Sequence, residues 1–323
     1  MNNSTPAEIF LHDYQSINFI VERVSLEFDL NDDATCVAST IALKKQPSML
    51  GSTLDCVLNG EDLDLQYVAI NGVKLNSDQY AIDDTSLTLF SVPDEFILET
   101  QVLIYPHKNK SFMGLYQSRS NYCTQCEAEG FRKITYFFDR PDVMTRFTTT
   151  IRADKDKYPF LLSNGNCLER KDLDNGRHEV VWEDPSLKPC YLFALVAGDF
   201  DLIEDHFVTM SGRHVTLEFF LEKGFRDQGF FAMESLKRAM RWDEEKYGRE
   251  YDLDIYMVVA VSDFNMGAME NKGLNVFNTK YVLANPKTAT DADHVGIEDV
   301  IGHEYFHNWT GNRITCRDWF QLT

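Results

Sequence analysis

Two histidines four residues apart enclose a glutamate in the run His303-Glu304-Tyr305-Phe306-His307. On a helix, residues four apart share a face, so both imidazoles would turn toward one point while Glu304 stands beside it. Imidazoles converging in this way suit zinc, which accepts histidine nitrogens at about 2.0 to 2.1 Å. Zinc lowers the pKa of a bound water to about 7, and a neighbouring carboxylate can take the proton as that water attacks a carbonyl. His303 and His307 are therefore the candidate metal ligands and Glu304 the candidate general base. The competing reading is two surface histidines that happen to lie one turn apart. Ile301 and the small Gly302 just before the run argue against it, because they suggest a helix packed closely in a core.

A catalytic zinc normally takes three protein ligands and keeps its fourth position for water. His294 does not supply the third. It lies nine residues before His303, more than two turns away and off the ligand face, and reads as an ordinary polar position near a helix start. Cys123 and Cys126 form a single C-x-x-C with no second pair at zinc-finger spacing, so a structural or incidental role is expected for them.

The histidine run belongs to a helix expected from about Asp291 to Asn308, with Thr290 or Asp291 as cap and Val295, Ile301 and Phe306 among its apolar positions. A second helix is expected from Arg226 to Tyr247, where Phe230, Met233, Leu236, Met240 and Tyr247 recur at helical spacing and Gly248 provides a stop. Ile255 to Val261 is a nearly continuous apolar run of strand length, suited to the middle of a covered sheet. A further strand is read from Val215, Leu217, Phe219 and Leu221. Before Gly198-Asp199 the texture is one of short alternating runs. Val24, Leu26, Phe28 and Leu30 alternate with polar residues, Asn31-Asp32-Asp33 turns the chain, and Val37, Ile41 and Leu43 return. Asn71-Gly72, Asn164-Gly165 and Asn175-Gly176 punctuate the rest, as in a sheet-on-sheet domain built from hairpins. The boundary is placed near residue 199, between a β-rich domain and a mixed α and β one.

With 323 residues the chain is long enough for two domains whose cores need no disulfides. Its 51 acidic and 31 basic residues give a formal charge of -20, which repels phosphate backbones, so nucleic acid is not an expected partner. Seven scattered cysteines fit reduced thiols, no leader pattern opens the chain, and no stretch approaches a membrane span. A cytoplasmic monomer with no membrane partner is expected.

Gly267-Ala268-Met269-Glu270-Asn271 ends 32 residues before His303. That signature and the histidine run together resemble the aminopeptidase N family of zinc peptidases. Gln125-Cys126-Glu127-Ala128-Glu129-Gly130-Phe131-Arg132 and Asn308-Trp309-Thr310-Gly311-Asn312-Arg313 resemble its bacterial branch, and the likeness runs over essentially the whole chain. The resemblance implies a mainly β N-terminal domain over residues 1–199, then the first part of a thermolysin-like α+β catalytic domain over residues 200–323. It implies one zinc ion, and as substrates peptides with a free N-terminus, cleaved after their first residue with broad specificity.

In that family the glutamate of the signature holds the substrate's α-amino group, which makes Glu270 the anchor, with Glu127 as a second carboxylate and Gln125 beside it. An α-ammonium with a pKa of about 7.7 to 8.0 is largely charged at neutral pH, and two buried carboxylates would neutralise and position it. Gly267, Ala268 and Met269 would offer backbone to the extended peptide, and Met266 matches a residue lining the first side-chain pocket, with core filling as its plainer alternative. The family's third zinc ligand, a glutamate, would fall three positions beyond Thr323. Its oxyanion-stabilising tyrosine and a helical domain would lie further on, with Asp318 to Thr323 opening the helix that carries the ligand. Residues 1 to 323 alone are therefore expected to be a fragment with weak zinc binding and negligible peptidase activity. Two alternatives share the fold: an epoxide hydrolase, and an inert scaffold, which would need none of His303, Glu304, His307 and Glu270. An endopeptidase is disfavoured because Glu127 and Glu270 would block a chain continuing past the amine.

Overall fold

The computed structural model describes residues 8–322. Strand Phe19–Asp29 returns through the Asn31-Asp33 turn as strand Thr35–Lys45, with Leu26 opposite Ser39. Val24, Leu26, Phe28, Val37, Ile41 and Leu43 all point into the core, as the alternation requires. Both residues of Asn71-Gly72 have positive φ, the geometry of a two-residue hairpin turn between Ile70 and Val73, and Asn175-Gly176, also at positive φ, closes the three-residue turn Asp174–Gly176. Asn164-Gly165 serves a different purpose. Gly165 has φ +89°, and a Cβ there would lie 2.1 Å from the Glu183 carbonyl oxygen, so the glycine permits close approach of two backbones.

Hairpins do not account for the whole of this region. Phe19–Asp29 also pairs in parallel with Thr145–Asp154, within an eight-stranded sheet that runs from Asn166–Asp172 at one edge to Val73–Lys74 at the other. Parallel neighbours need a long crossover. Here the intervening chain is used to build a three-stranded sheet and two strands, Gly114–Ser118 and Asn121–Gln125, of a four-stranded sheet.

Beyond Gly198 the chain forms a five-stranded mixed sheet in the order Phe200–Val208, His214–Glu222, Ile255–Val261, Leu274–Asn278 and Ala268–Met269. Ile255–Val261 lies in the middle and is covered on both faces. Met257, Val259 and Val261 pack with the β-rich region, whereas Tyr256, Val258 and Ala260 pack under the helices. The fold is thus a mainly β region followed by an α+β one, as the resemblance implied.

Two α-helices occur among the described residues, α1 (Phe230–Tyr247) and α2 (Asp291–Phe306). Helix α1 starts four residues later than the apolar spacing suggests, after a 3₁₀ turn at Arg226–Gln228, and ends on Gly248 in the left-handed conformation. Its inward residues are Met233, Leu236 and Met240; Phe230 and Tyr247 are exposed. Helix α2 opens with a full capping box. The Thr290 hydroxyl accepts from the Asp293 N–H and the Asp293 carboxylate accepts from the Thr290 N–H. It buries Ile297, Ile301 and Tyr305 while Val295 faces out. It also stops at Phe306, short of Asn308, because the following residues fold back on the helix end. Gly302 has no neighbour within 4 Å of where a Cβ would stand, so the close packing expected there is absent. Asp318 caps a single 3₁₀ turn, Trp319–Gln321. Replacing the cap, Thr290→Ala, should lower stability by about 1 kcal/mol in urea unfolding, while Asp291→Ala next to it changes little.

Candidate metal and peptide site

Helix α2 delivers His303, Glu304 and His307 to one place, the single cluster of metal-competent side chains among the described residues. The two Nε2 atoms lie 3.0 Å apart and the rings cross at 89°. Two nitrogens on one tetrahedral zinc would be about 3.3 Å apart, so the pair fits a shared ion with little adjustment. His307 is held from behind. Its Nδ1–H donates to the Thr310 carbonyl at 2.8 Å, which leaves the Nε2 lone pair free for a ligand role. His294 is elsewhere: its Nδ1 is 2.9 Å from the Thr290 carbonyl and its ring meets Phe231 edge to face.

The turn after α2 sets the position of His307. The Asn312 N–H donates to the His307 carbonyl at 2.9 Å and the Gly311 N–H to Ile314 at 2.8 Å. Gly311 has φ +142°, and a Cβ on it would stand 2.7 Å from His307 Nδ1. No other residue fits there without moving the ring.

Facing the histidines are carboxylates from two other elements. Glu270 follows the edge strand Ala268–Met269 and is 9% exposed; Glu127 follows strand Asn121–Gln125 and is half-buried. Burial and then the charges of Glu270 and Glu127 push Glu304 up to about 8. Burial and the charge of Glu270 push Glu127 up to about 7, against a smaller opposing pull from His307. No lysine or arginine contributes to either shift. His303 is lowered, chiefly by burial and then by the proximity of His307. The structure therefore gathers three carboxyl groups and two imidazoles, and among the described residues no lysine or arginine balances Glu127 or Glu304, so the site favours cations that come from outside.

The remaining residues read from the sequence also converge here. Gln125 Nε2 donates to the Glu127 carbonyl at 3.2 Å and lies 3.3 Å from Met266 Sδ. Met266 is 43% exposed, which removes core filling as its role, whereas Met269 is fully buried. Ala268 and Met269 pair inward with Phe277 and Val276 and form the end of the sheet, with no further strand paired beyond them among the described residues. The Gly267 carbonyl accepts from the Asn278 N–H at 2.9 Å. Cys123 and Cys126 stand apart from this chemistry: both are fully buried and burial pushes both thiols up. A groove of about 680 Å³ runs between α1 and α2 past Trp242, Gly302 and His303 and does not include Glu127 or Glu270. The supports of His307, namely Thr310, Gly311 and Asn312, are not singled out by spacing. Their signals in the sequence are a turn-forming run placed directly after the second histidine and the family resemblance of the stretch Asn308 to Arg313.

Residues 13–192 match the peptidase M1 N-terminal domain and residues 231–323 match the peptidase family M1 domain. The chain belongs to peptidase family M1. It is 54% identical to aminopeptidase N of Caulobacter vibrioides over 322 residues, all of this chain and 37% of that protein. It is also 54% identical to aminopeptidase N of Escherichia coli over 318 residues, 98% of this chain and 36% of that protein. Among solved structures, Legionella pneumophila aminopeptidase A in complex with aspartic acid superposes with a TM-score of 0.92 at 36% identity, covering 96% of this chain and 36% of that one. The chain thus spans a little over a third of the length of the M1 relatives it matches. Gly311→Ala should weaken zinc binding about tenfold or more in chelator competition, by displacing His307, while the far-ultraviolet circular dichroism stays unchanged.

Proposed function

We propose that this chain carries the amine anchor and two of the metal ligands of a zinc aminopeptidase that removes single N-terminal residues from peptides with broad specificity. The observation that carries this reading is the pair Glu127 and Glu270, set close enough that the charge of Glu270 raises Glu127, beside two imidazoles whose Nε2 atoms converge. His303 and His307 would hold the zinc, and the third donor is assigned to a residue outside those described. When bound, zinc would polarise the scissile carbonyl and acidify a water.

The protein's own residues then divide the work. Positive charge entering the site favours the ionised form of both Glu304 and Glu127, reversing the effect of burial. Glu304 takes the proton of the attacking water as general base and returns it to the leaving amine. Glu127 and Glu270 hold the substrate's α-ammonium in charge-assisted hydrogen bonds, so a chain extending past the amine has no room. The last strand of the sheet, Ala268–Met269, and the N–H of Gly267 would pair with the extended peptide. Met266 forms a flexible wall for the first side chain, which suits broad specificity. The seven free thiols support a reducing compartment, and we place the protein in the cytoplasm. Among the described residues no helix is long and apolar enough to cross a membrane.

The test uses the zinc-loaded full-length gene product and an alanyl chromogenic amide. Glu304→Gln should keep its zinc and lose about 10²- to 10⁴-fold in kcat. Glu270→Gln should lose about 10- to 100-fold in kcat/KM on free-amine substrates. Equal cleavage of N-acetylated and free peptides by the parent enzyme would contradict the anchor.

A further inference from the structure

Lys272 lies two residues after the anchor Glu270 and is 1% exposed, yet it takes no part in the chemistry proposed above. Its ammonium pairs with the Asp252 carboxylate and donates to Asn308 Oδ1, and it sits 5.1 Å from the centre of the Tyr251 ring. The other oxygen of Asp252 accepts from Arg313 Nε. Burying an ammonium is costly unless its bonds are well made, and here they are made to two segments distant in sequence. One precedes the central strand of the mixed sheet. The other begins immediately after His307.

A second link runs parallel to the first. Asn312 Nδ2 donates to the Glu270 carbonyl at 2.9 Å, while the Asn312 N–H donates to the carbonyl of His307. The anchor loop and the turn behind the second imidazole are thus joined twice, through Lys272 with Asn308 and through Glu270 with Asn312. The loop is also fixed to the β-rich region, since Asn164 Nδ2 donates to the Lys272 carbonyl at 2.9 Å and Asn271 Nδ2 to that of Phe193 at 3.3 Å.

We infer that Lys272 is a positioning residue that fixes the spacing between the amine anchor Glu270 and the metal-facing imidazole of His307, and so holds a bound peptide with its first carbonyl at the reaction centre. This rests on the roles proposed above for Glu270 and the two histidines. Lys272 touches neither substrate nor metal. It acts through Asn308 on the turn that carries His307, and along its own loop on Glu270. A merely structural lysine would support the fold without changing the geometry of the metal site or the balance between kcat and KM.

The discriminating variant is Lys272→Met in the full-length gene product. Methionine keeps most of the aliphatic stem, and the Asp252–Arg313 pair remains charge-matched, so the protein should fold. Zinc affinity, measured by chelator competition on the metal-free protein, should fall about tenfold, the range seen when an outer hydrogen bond to a ligand is lost. The visible absorption of the cobalt-substituted protein should shift, and kcat on an alanyl amide should fall by more than KM rises. Asn308→Ala keeps the lysine's ion pair and removes only its link to the turn, so it must move the same three readouts in the same direction. Parent-like zinc affinity, cobalt spectrum and kcat in either folded variant overturns the role of Lys272, whatever happens to the melting temperature. A parent enzyme that binds no zinc and releases no amino acid overturns the aminopeptidase reading itself, and this inference with it.

Discussion

Like charges held together away from water repel, and a protein retains such a group only where something else will balance it. Glu304, Glu270 and Glu127 are drawn together from a helix, a sheet edge and a hairpin end, and no basic side chain moderates the first or the last of them. Folding stability does not call for this arrangement. On the proposed reading it is preorganisation: the framework bears the cost of gathering these carboxyl groups in advance, so that a dication and an ammonium would enter a site already shaped for them. The Nε2 atoms of His303 and His307 supply neutral donors on one side of that cluster, and Glu127 and Glu270 supply anionic acceptors on the other.

The framework that sustains this is rigid for identifiable reasons. The central strand Ile255–Val261 is buried on both faces and fixes the sheet whose edge carries Ala268 to Glu270. Ile297, Ile301 and Tyr305 hold α2 against the opposite face of that sheet from the β-rich region. Strand Asn121–Gln125, every residue of it buried, brings Glu127 to the same place from the N-terminal domain. Contacts between the domains keep the halves in register. The Tyr116 hydroxyl donates to the Asp263 carbonyl, and Tyr191 bonds to Gly311 and Thr315. The site thus takes Glu127 from the β-rich region and Glu270, His303, Glu304 and His307 from the region beyond Gly198.

Much of this was legible in the sequence. The metal pair is a local pattern, because four residues of helix determine it, and the caps at Thr290 and Gly248 are likewise local. Glu270 and Glu127 were reached only through resemblance, since nothing in periodicity brings residue 127 to residue 304. What escaped is long-range. The parallel pairing of Phe19–Asp29 with Thr145–Asp154 leaves no mark on either strand, and the Lys272, Asp252 and Asn308 contacts join three segments that look unrelated. Local signals also mislead where a later contact overrides them: Gly302 faces open space instead of a packed neighbour, Val295 and Phe230 point outward, and α2 ends before Asn308 because the turn that seats His307 already begins there.

The most direct measurement is a crystal structure of the full-length gene product with zinc and an amino acid hydroxamate, with anomalous scattering recorded at the zinc edge. The account predicts one strong peak about 2.0 to 2.1 Å from Nε2 of both His303 and His307, with the ligand's amine within hydrogen-bonding distance of Glu127 and Glu270. A peak bound by neither histidine, or a ligand whose amine points into solvent away from the two glutamates, would contradict it.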